Sequence, residues 1–282
     1  MKAFIFVTLL VITLIRASTW TSGVNPRFEG VSMEEFRALL GSPISDETPI
    51  YSKPKEGLPD SYNFYESYPQ CKTGILDQGQ CGSCWAFGTA ESFSHRYCRA
   101  KGENLVFSPQ TLVSCDWEGN QGCNGGMPHL AWDFIEVGGI ETLTCFPYVS
   151  GGGDNGKCLK ECVNSESFTK YHAKLLSTKD YSGQDSMMEA IYNDGPITGT
   201  FNVYADFMNY TSGVYQYKSG ALEGGHAILI RGWGVTNDDA KTPYWICDNS
   251  WGYTWGMKGS FWILRGSNEC GIESGACAGL PK

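Results

Sequence analysis

Gln78-Gly79-Gln80-Cys81-Gly82-Ser83-Cys84-Trp85-Ala86-Phe87 sets a thiol, Cys84, at the start of an apolar run that continues through Ala90, Phe93 and Tyr97 at helical spacing. Small and polar residues lie just before it. A thiol at a helix N-terminus meets unpaired N–H groups and the positive end of the helix dipole, which favour the thiolate, the nucleophilic form. The stretch therefore reads as an activated cysteine opening a long helix, here Cys84 to about Arg99.

Two further blocks belong with it. Gly224-Gly225-His226-Ala227 places a histidine 142 residues after Cys84, and Asn249-Ser250-Trp251-Gly252 places an asparagine 165 after it. The Cys-Gly-Ser-Cys-Trp wording and a histidine about 130 to 150 residues downstream are the pattern of papain-like proteases, with the asparagine somewhat further along than usual. From about Leu58 to Pro281 the chain resembles the papain family of cysteine proteases, and within it the cathepsin B-like branch.

The resemblance implies an α+β fold of two lobes, one helical and carrying Cys84, the other barrel-like and carrying His226 and Asn249, with the active site in the cleft between them. It assigns roles residue by residue. Cys84 is the nucleophile, His226 its imidazolium partner, Asn249 the group that orients the ring, and Trp251 the shield over that bond. Gln78 and the Cys84 N–H would hold the oxyanion. Gly125 and Gly126 would pair with substrate backbone, and Met127, Pro128, Thr200, Ala227 and Gly275 would line the main specificity pocket. Gly275 stands where cathepsin B carries an acid, so an apolar pocket favouring Leu, Val or Phe is expected. Disulfides are implied at Cys71–Cys98, Cys81–Cys123, Cys115–Cys158 and Cys145–Cys162, with Cys270 free. Cys247 and Cys277 have no counterpart and are either small buried hydrophobes or partners of each other. The implied molecule is a monomer without metal or cofactor that acts on peptides and proteins and is inhibited by its own propeptide and by cystatin-like proteins. The stretch Cys145 to Cys158 is short, Gly-rich and free of histidine. Cathepsin B carries there a long loop that blocks one end of its cleft. An endopeptidase with little peptidyl-dipeptidase activity follows as the expectation.

The N-terminus has its own organisation. Lys2, the apolar stretch Ala3 to Ile15 and then Arg16-Ala17-Ser18 read as a signal peptide over 1–18, since thirteen apolar residues fall short of a bilayer core of roughly 30 Å. A buried helix is the alternative. Residues 19–57 contain Trp20, Phe28, the amphipathic run Met33 to Leu40 behind a Ser32/Glu35 capping box, and a proline-punctuated tail. They resemble a short propeptide, with an N-terminal decoration of the fold as the other reading. The peptidase domain would span 58–282, its helical lobe mainly 58–140 and its barrel-like lobe mainly 141–282, and Lys53 to Gly57 offers cut points.

The composition is consistent with this. A chain of 282 residues, 41% hydrophobic and 13% aromatic, can bury one large core or two modest ones. A net charge of −9 with no basic stripe argues against nucleic-acid binding, and no later stretch is apolar enough to span a membrane. Twelve cysteines behind a secretory leader point to disulfides and to the secretory pathway, and the resemblance implies a destination in an acidic, lysosome-like vesicle or outside the cell. After Cys84, helical periodicity is weaker at Pro109 to Val113 and Pro128 to Val137. Strand-like runs follow at Ile197 to Val203, Gly213 to Tyr217, His226 to Gly232, Tyr244 to Asp248 and Ser260 to Arg265.

Other readings compete. Cys81-Gly-Ser-Cys84 is formally the dithiol of a thiol-disulfide oxidoreductase, although no βαβ context accompanies it. A zinc module lacks a second Cys-x-x-Cys pair or a His-x₃₋₅-His. An inactive homologue would not be expected to keep all four catalytic positions. His95, His129 and His172 read as surface or structural histidines. Asp248 beside Asn249 should point to the opposite face of its strand. Asn209-Tyr210-Thr211 is a glycosylation sequon.

Overall fold

A computed structural model of the chain describes residues 19–43, 48–51 and 57–282. The expected leader, 1–18, and most of the cut region 53–57 lie outside the described residues. Helix α3 (Cys84–Lys101) is the centre of the molecule and is buried on nearly every side. Its last turn carries Arg99 and Lys101, and Gly102 ends it at φ 78°, a left-handed cap that suits glycine. Buried Arg96 donates to the carbonyls of Pro196, Gly195 and Gly279 at 2.7, 3.1 and 3.1 Å and so ties the helix to the sheet.

Around α3 lie α4 (Pro109–Cys115), capped by Ser108, and α5 (Pro128–Val137), with a proline at the start of each where a missing N–H does no harm. Both were expected. Helix α6 (Gln184–Asp194) was not expected: Gly183 precedes it and offers no side-chain cap.

The sheet is built on β4 (Ile197–Tyr204), β5 (Tyr210–Tyr215), β6 (Leu222–Val235), β7 (Pro243–Asp248) and β8 (Ser260–Leu264). Its order is β5-β8-β7-β6-β4, continued by β9 (Ala276–Ala278) and β3 (Lys179–Tyr181), while β2 (Tyr62–Asn63) pairs with β6. This is the α+β arrangement expected. Strand β5 starts three residues earlier than the sequence suggested, and Asn209 of the sequon is exposed just before it. Strand β6 is twice as long as expected and is interrupted against β7 by a bulge at Arg231.

Four disulfides are present, Cys71–Cys98, Cys81–Cys123, Cys115–Cys158 and Cys145–Cys162, the same pairs that the resemblance implies. Their loops of 17 to 43 residues correspond to about 3–4 kcal/mol each if chain entropy alone is counted. Cys247 and Cys277 are separate buried thiols, because β7 and β9 are not neighbours in the sheet.

The N-terminal segment packs on this framework. Strand β1 (Trp20–Ser22) adds to the edge of β5, with Trp20 opposite Gly213 and its ring against Tyr210 and Tyr215. Helix α1 (Met33–Arg37) has the expected capping box but ends earlier than the apolar spacing suggests. Leu39 is buried beyond its end, and the chain runs on, extended, through Gly41 and Ser42.

Candidate active site

Cys84 is the first residue of α3 and is fully buried. Burial alone would push its thiol up. The charge of His226, with smaller contributions from hydrogen bonding by His226, Ser42 and the Ala227 backbone, overcomes that and leaves the thiol below its ordinary range. His226 reaches the thiol from β6. Its Nδ1 is buried without a hydrogen bond of ordinary geometry, so the coupling is electrostatic before it is a fixed bond.

The other ring nitrogen is firmly held. His226 Nε2 lies 2.8 Å from Asn249 Oδ1, which also accepts the Ser250 N–H at 2.8 Å. A backbone N–H can only donate, so that atom is the amide oxygen and Nε2 must carry a proton. The Trp251 indole stacks on the imidazole, centroids 4.7 Å apart, and covers the His226–Asn249 bond.

Gln78 is oriented by the same logic. Its Oε1 accepts from Ser250 Oγ at 2.8 Å, so its NH₂ group points to the carbonyls of Cys81 and Leu39, at 2.7 and 3.0 Å. A side-chain N–H thus already serves the Leu39 carbonyl, three residues before Ser42.

That carbonyl belongs to the N-terminal segment, which fills the cleft. Ser42 Oγ lies 3.5 Å from Cys84 Sγ, Gly126 N–H donates to Gly41 O at 2.8 Å, and Ser42 N–H donates to Gly225 O at 3.1 Å. A cavity of about 260 Å³ is lined by Leu40 to Pro43 on one side and Asn124 to Met127 on the other. Phe28 and Phe36 meet Trp251 edge-on at 5.2 and 5.5 Å, and Arg27 donates to Gly79 O at 2.9 Å. Neither Ser42 nor Gly41 stood out in the sequence; the only signal was a glycine and a small hydroxyl directly after an apolar run.

Gly125, Gly126 and Met127 line the cleft, with Pro128 buried behind them as the first residue of α5. Thr200 and Ala227 are register partners across β4 and β6, and Thr200 donates to Gly275 O through its N–H and its hydroxyl at 3.0 and 2.9 Å. The two groups sit on different elements, and no hydrogen bond joins them. Asp248 points away from the histidine, as its strand position required, and accepts from Arg231, Tyr65 and Ser260. Cys81 is committed to Cys123, so the Cys81–Cys84 dithiol of the redox reading does not exist here.

A family model for papain family cysteine proteases matches residues 58–280. The chain belongs to the papain family of cysteine proteases. Similar relatives include cathepsin B-like CP2 of Giardia intestinalis, 42% identical over 93% of this chain and 89% of that protein. Cathepsin B-like cysteine proteinase 5 of Caenorhabditis elegans is 35% identical over 93% and 86%. Among solved structures, procathepsin B S9 from Trypanosoma congolense superposes with a TM-score of 0.83 at 34% identity, covering 94% of this chain and 93% of that one. The protein is thus a cathepsin B-like cysteine peptidase, and its similarity to a proform fits the N-terminal segment in its cleft.

In this papain-family chain the stretch between Cys145 and Cys158 is hydrogen-bonded to the segment around Gln78 and to Gln110. Gln110 Oε1 accepts the N–H groups of Val149 and Ser150 at 2.7 and 3.1 Å, Tyr148 OH donates to Gln78 O at 2.8 Å, and Gln80 N–H donates to Gly151 O at 2.7 Å. Gln110 and Tyr148, which anchor it, were not legible as a pair from the sequence.

Proposed function

We propose that the protein is a secretory-pathway cysteine endopeptidase made as a zymogen. The observation that carries the mechanism is the buried Cys84 thiol at the start of α3 with the His226 ring, held by Asn249 at 2.8 Å, beside it. The thiolate of Cys84 attacks the scissile carbonyl carbon, and the electron pair moves to oxygen, where the Gln78 NH₂ and the Cys84 N–H receive it. Collapse of this adduct expels the amine, which takes the proton of the imidazolium, and leaves a thioester. Water then loses a proton to His226, attacks the thioester and releases the acid, which leaves the Cys84 thiolate beside the imidazolium for the next turnover. Gly125 and Gly126 pair with the substrate strand, while Met127, Pro128, Thr200, Ala227 and Gly275 set an apolar preference two residues before the cut.

Residues 1–18 act as signal peptide and 19–57 as propeptide, with the mature chain starting near Leu58. Arg27 pairs with Asp77 and Arg37 with Glu223, and these ion pairs help tie the propeptide to the rest of the chain. An acidic vesicle or the medium it discharges into is the matching destination. The short stretch beside Gln78 leaves the cleft open at both ends, so long chains and cystatin-like inhibitors can fill it.

Two measurements test this. An irreversible epoxide inhibitor of cysteine proteases should label the mature protein at one mole per mole on Cys84; no labelling would refute the nucleophile. One long peptide, free or amidated at its C-terminus, should give internal fragments first, at rates indifferent to amidation. Successive loss of C-terminal dipeptides from the free form alone would sink the open-cleft reading.

A further inference from the structure

Behind the cleft, on the face of β7 opposite Asn249, lies a buried polar array to which the mechanism assigns nothing. Asp248 accepts from Arg231 Nε at 2.9 Å, Tyr65 OH at 2.8 Å and Ser260 Oγ at 2.6 Å. Tyr65 OH lies 3.1 Å from His95 Nε2, and His95 Nδ1 lies 3.0 Å from Cys71 O. Arg231 also donates to Asn63 Oδ1 at 2.6 Å, and its guanidinium lies 4.3 Å from the Tyr65 ring centre. His95 is on α3, eleven residues after Cys84; Arg231 is on β6, five after His226; Asp248 directly precedes Asn249. Tyr65, on α2 (Phe64–Ser67), is the link between them.

We propose that Arg231, Asp248, Tyr65 and His95 form a positioning unit that sets the elements bearing Cys84, His226 and Asn249 relative to one another. The proposal rests on the catalytic reading of those three residues. The local geometry supports it, because Arg231 is the unpaired residue of the β6–β7 bulge, a device that re-aims one side chain, here toward Asp248. A buried hydrogen-bonded network stiffens what it connects, the more so the more of its contacts are satisfied.

The unit is also sensitive to protons. The three contacts from Cys71 O through His95 and Tyr65 to Asp248 need three protons, and a neutral histidine and a phenol supply two. One added proton completes the chain. Burial pushes the His95 ring down to about 4, so that proton arrives only in acid. Burial pushes the Asp248 carboxyl up, but Arg231, Ser260 and Tyr65 together hold it below the usual range, so its charge persists until the pH falls through that lowered value. The other titratable groups facing it are Glu91 on α3, whose carboxyl burial raises well above its ordinary range, and the neighbouring Cys247, raised the same way.

The test is Tyr65→Phe, which keeps the ring on Arg231 and removes only the hydroxyl, measured on activated enzyme counted by epoxide titration. Turnover per titrated site should fall about fivefold, the rate equivalent of one hydrogen bond, with KM within twofold. The acid limb of the kcat/KM profile should move to higher pH, because Asp248 loses a donor and protonates sooner. Asp248→Asn should cost more, and the double variant no more than Asp248→Asn alone, since the hydroxyl then has no carboxylate to serve. A Tyr65→Phe enzyme with unchanged turnover and pH profile, altered only in melting temperature, would overturn the proposal, as would additive losses in the double variant. Absence of epoxide labelling in the parent would instead contradict the catalytic reading itself.

Discussion

Cys84→Ala should reduce peptide hydrolysis by the mature enzyme on the order of 10⁵-fold or more in kcat, to what binding and the oxyanion donors alone provide. The loss should be this large because no other group stands ready to replace the thiol: Cys81 is in a disulfide, and Ser42 beside the thiol lies in the segment that the proposed maturation removes. His226→Ala should come close to it, since the same ring lowers the thiol and protonates the leaving amine. Gln78→Ala should cost about 10²-fold, the usual loss for one oxyanion donor. Asn249→Ala should cost about 10²-fold and leave measurable turnover, because the Trp251 indole still holds the ring plane while the bond that fixes the Nε2 proton is gone. The order is as informative as the sizes. Steady-state kinetics on epoxide-titrated enzyme measures it, and Cys84→Ala retaining hydrolysis would overturn the mechanism.

Much of the site was legible in the sequence because its parts are local and chemically distinctive. A cysteine at a helix start, a histidine after two glycines and an asparagine before a tryptophan each announce themselves, and only their distances needed checking. The core of the strand that carries His226, and the strand that ends just before Asn249, were legible because β-branched and aromatic residues cluster there. Helix α6 did not, since its apolar residues Met187, Met188 and Ile191 follow a glycine with no capping side chain. The apolar spacing continues α1 through Leu39, whereas the chain leaves the helix after Arg37 and the Leu39 carbonyl reaches Gln78. That choice is tertiary, decided by a donor 39 residues away. The array around Asp248 was invisible for a similar reason: it joins residues from 63 to 260, and the continuous apolar run Ala227 to Ile230 before Arg231 shows no period that would place the bulge.

The second large effect concerns how the cleft is kept closed. The precursor should react with the epoxide far more slowly than the mature enzyme, because Leu39 O occupies the Gln78 NH₂ and Gly41 O occupies the Gly126 N–H that a substrate needs. This depends on Gly41 having no side chain. A β-carbon there would stand 1.8 Å from Gly82 O and 2.4 Å from its carbonyl carbon, and Gly82 is itself held through its N–H to Cys123 O at 3.0 Å. Backbone cannot yield as a flexible side chain would, so Gly41→Ala must lift the segment out of the cleft. Losing both cleft hydrogen bonds at about 1 kcal/mol each, with the clash added, predicts a 30- to 100-fold faster reaction of the uncut precursor. The measurement is the rate at which epoxide mass is added to the precursor itself, read by intact-mass spectrometry before any processing. β1 and α1 remain docked through Trp20, Phe28 and Phe36, so the variant should still fold and be secreted as a precursor. If Gly41→Ala and the parent precursor react at the same slow rate, the segment 39–42 does not close the cleft, and inhibition has to be sought in α1 and its aromatic seat on Trp251.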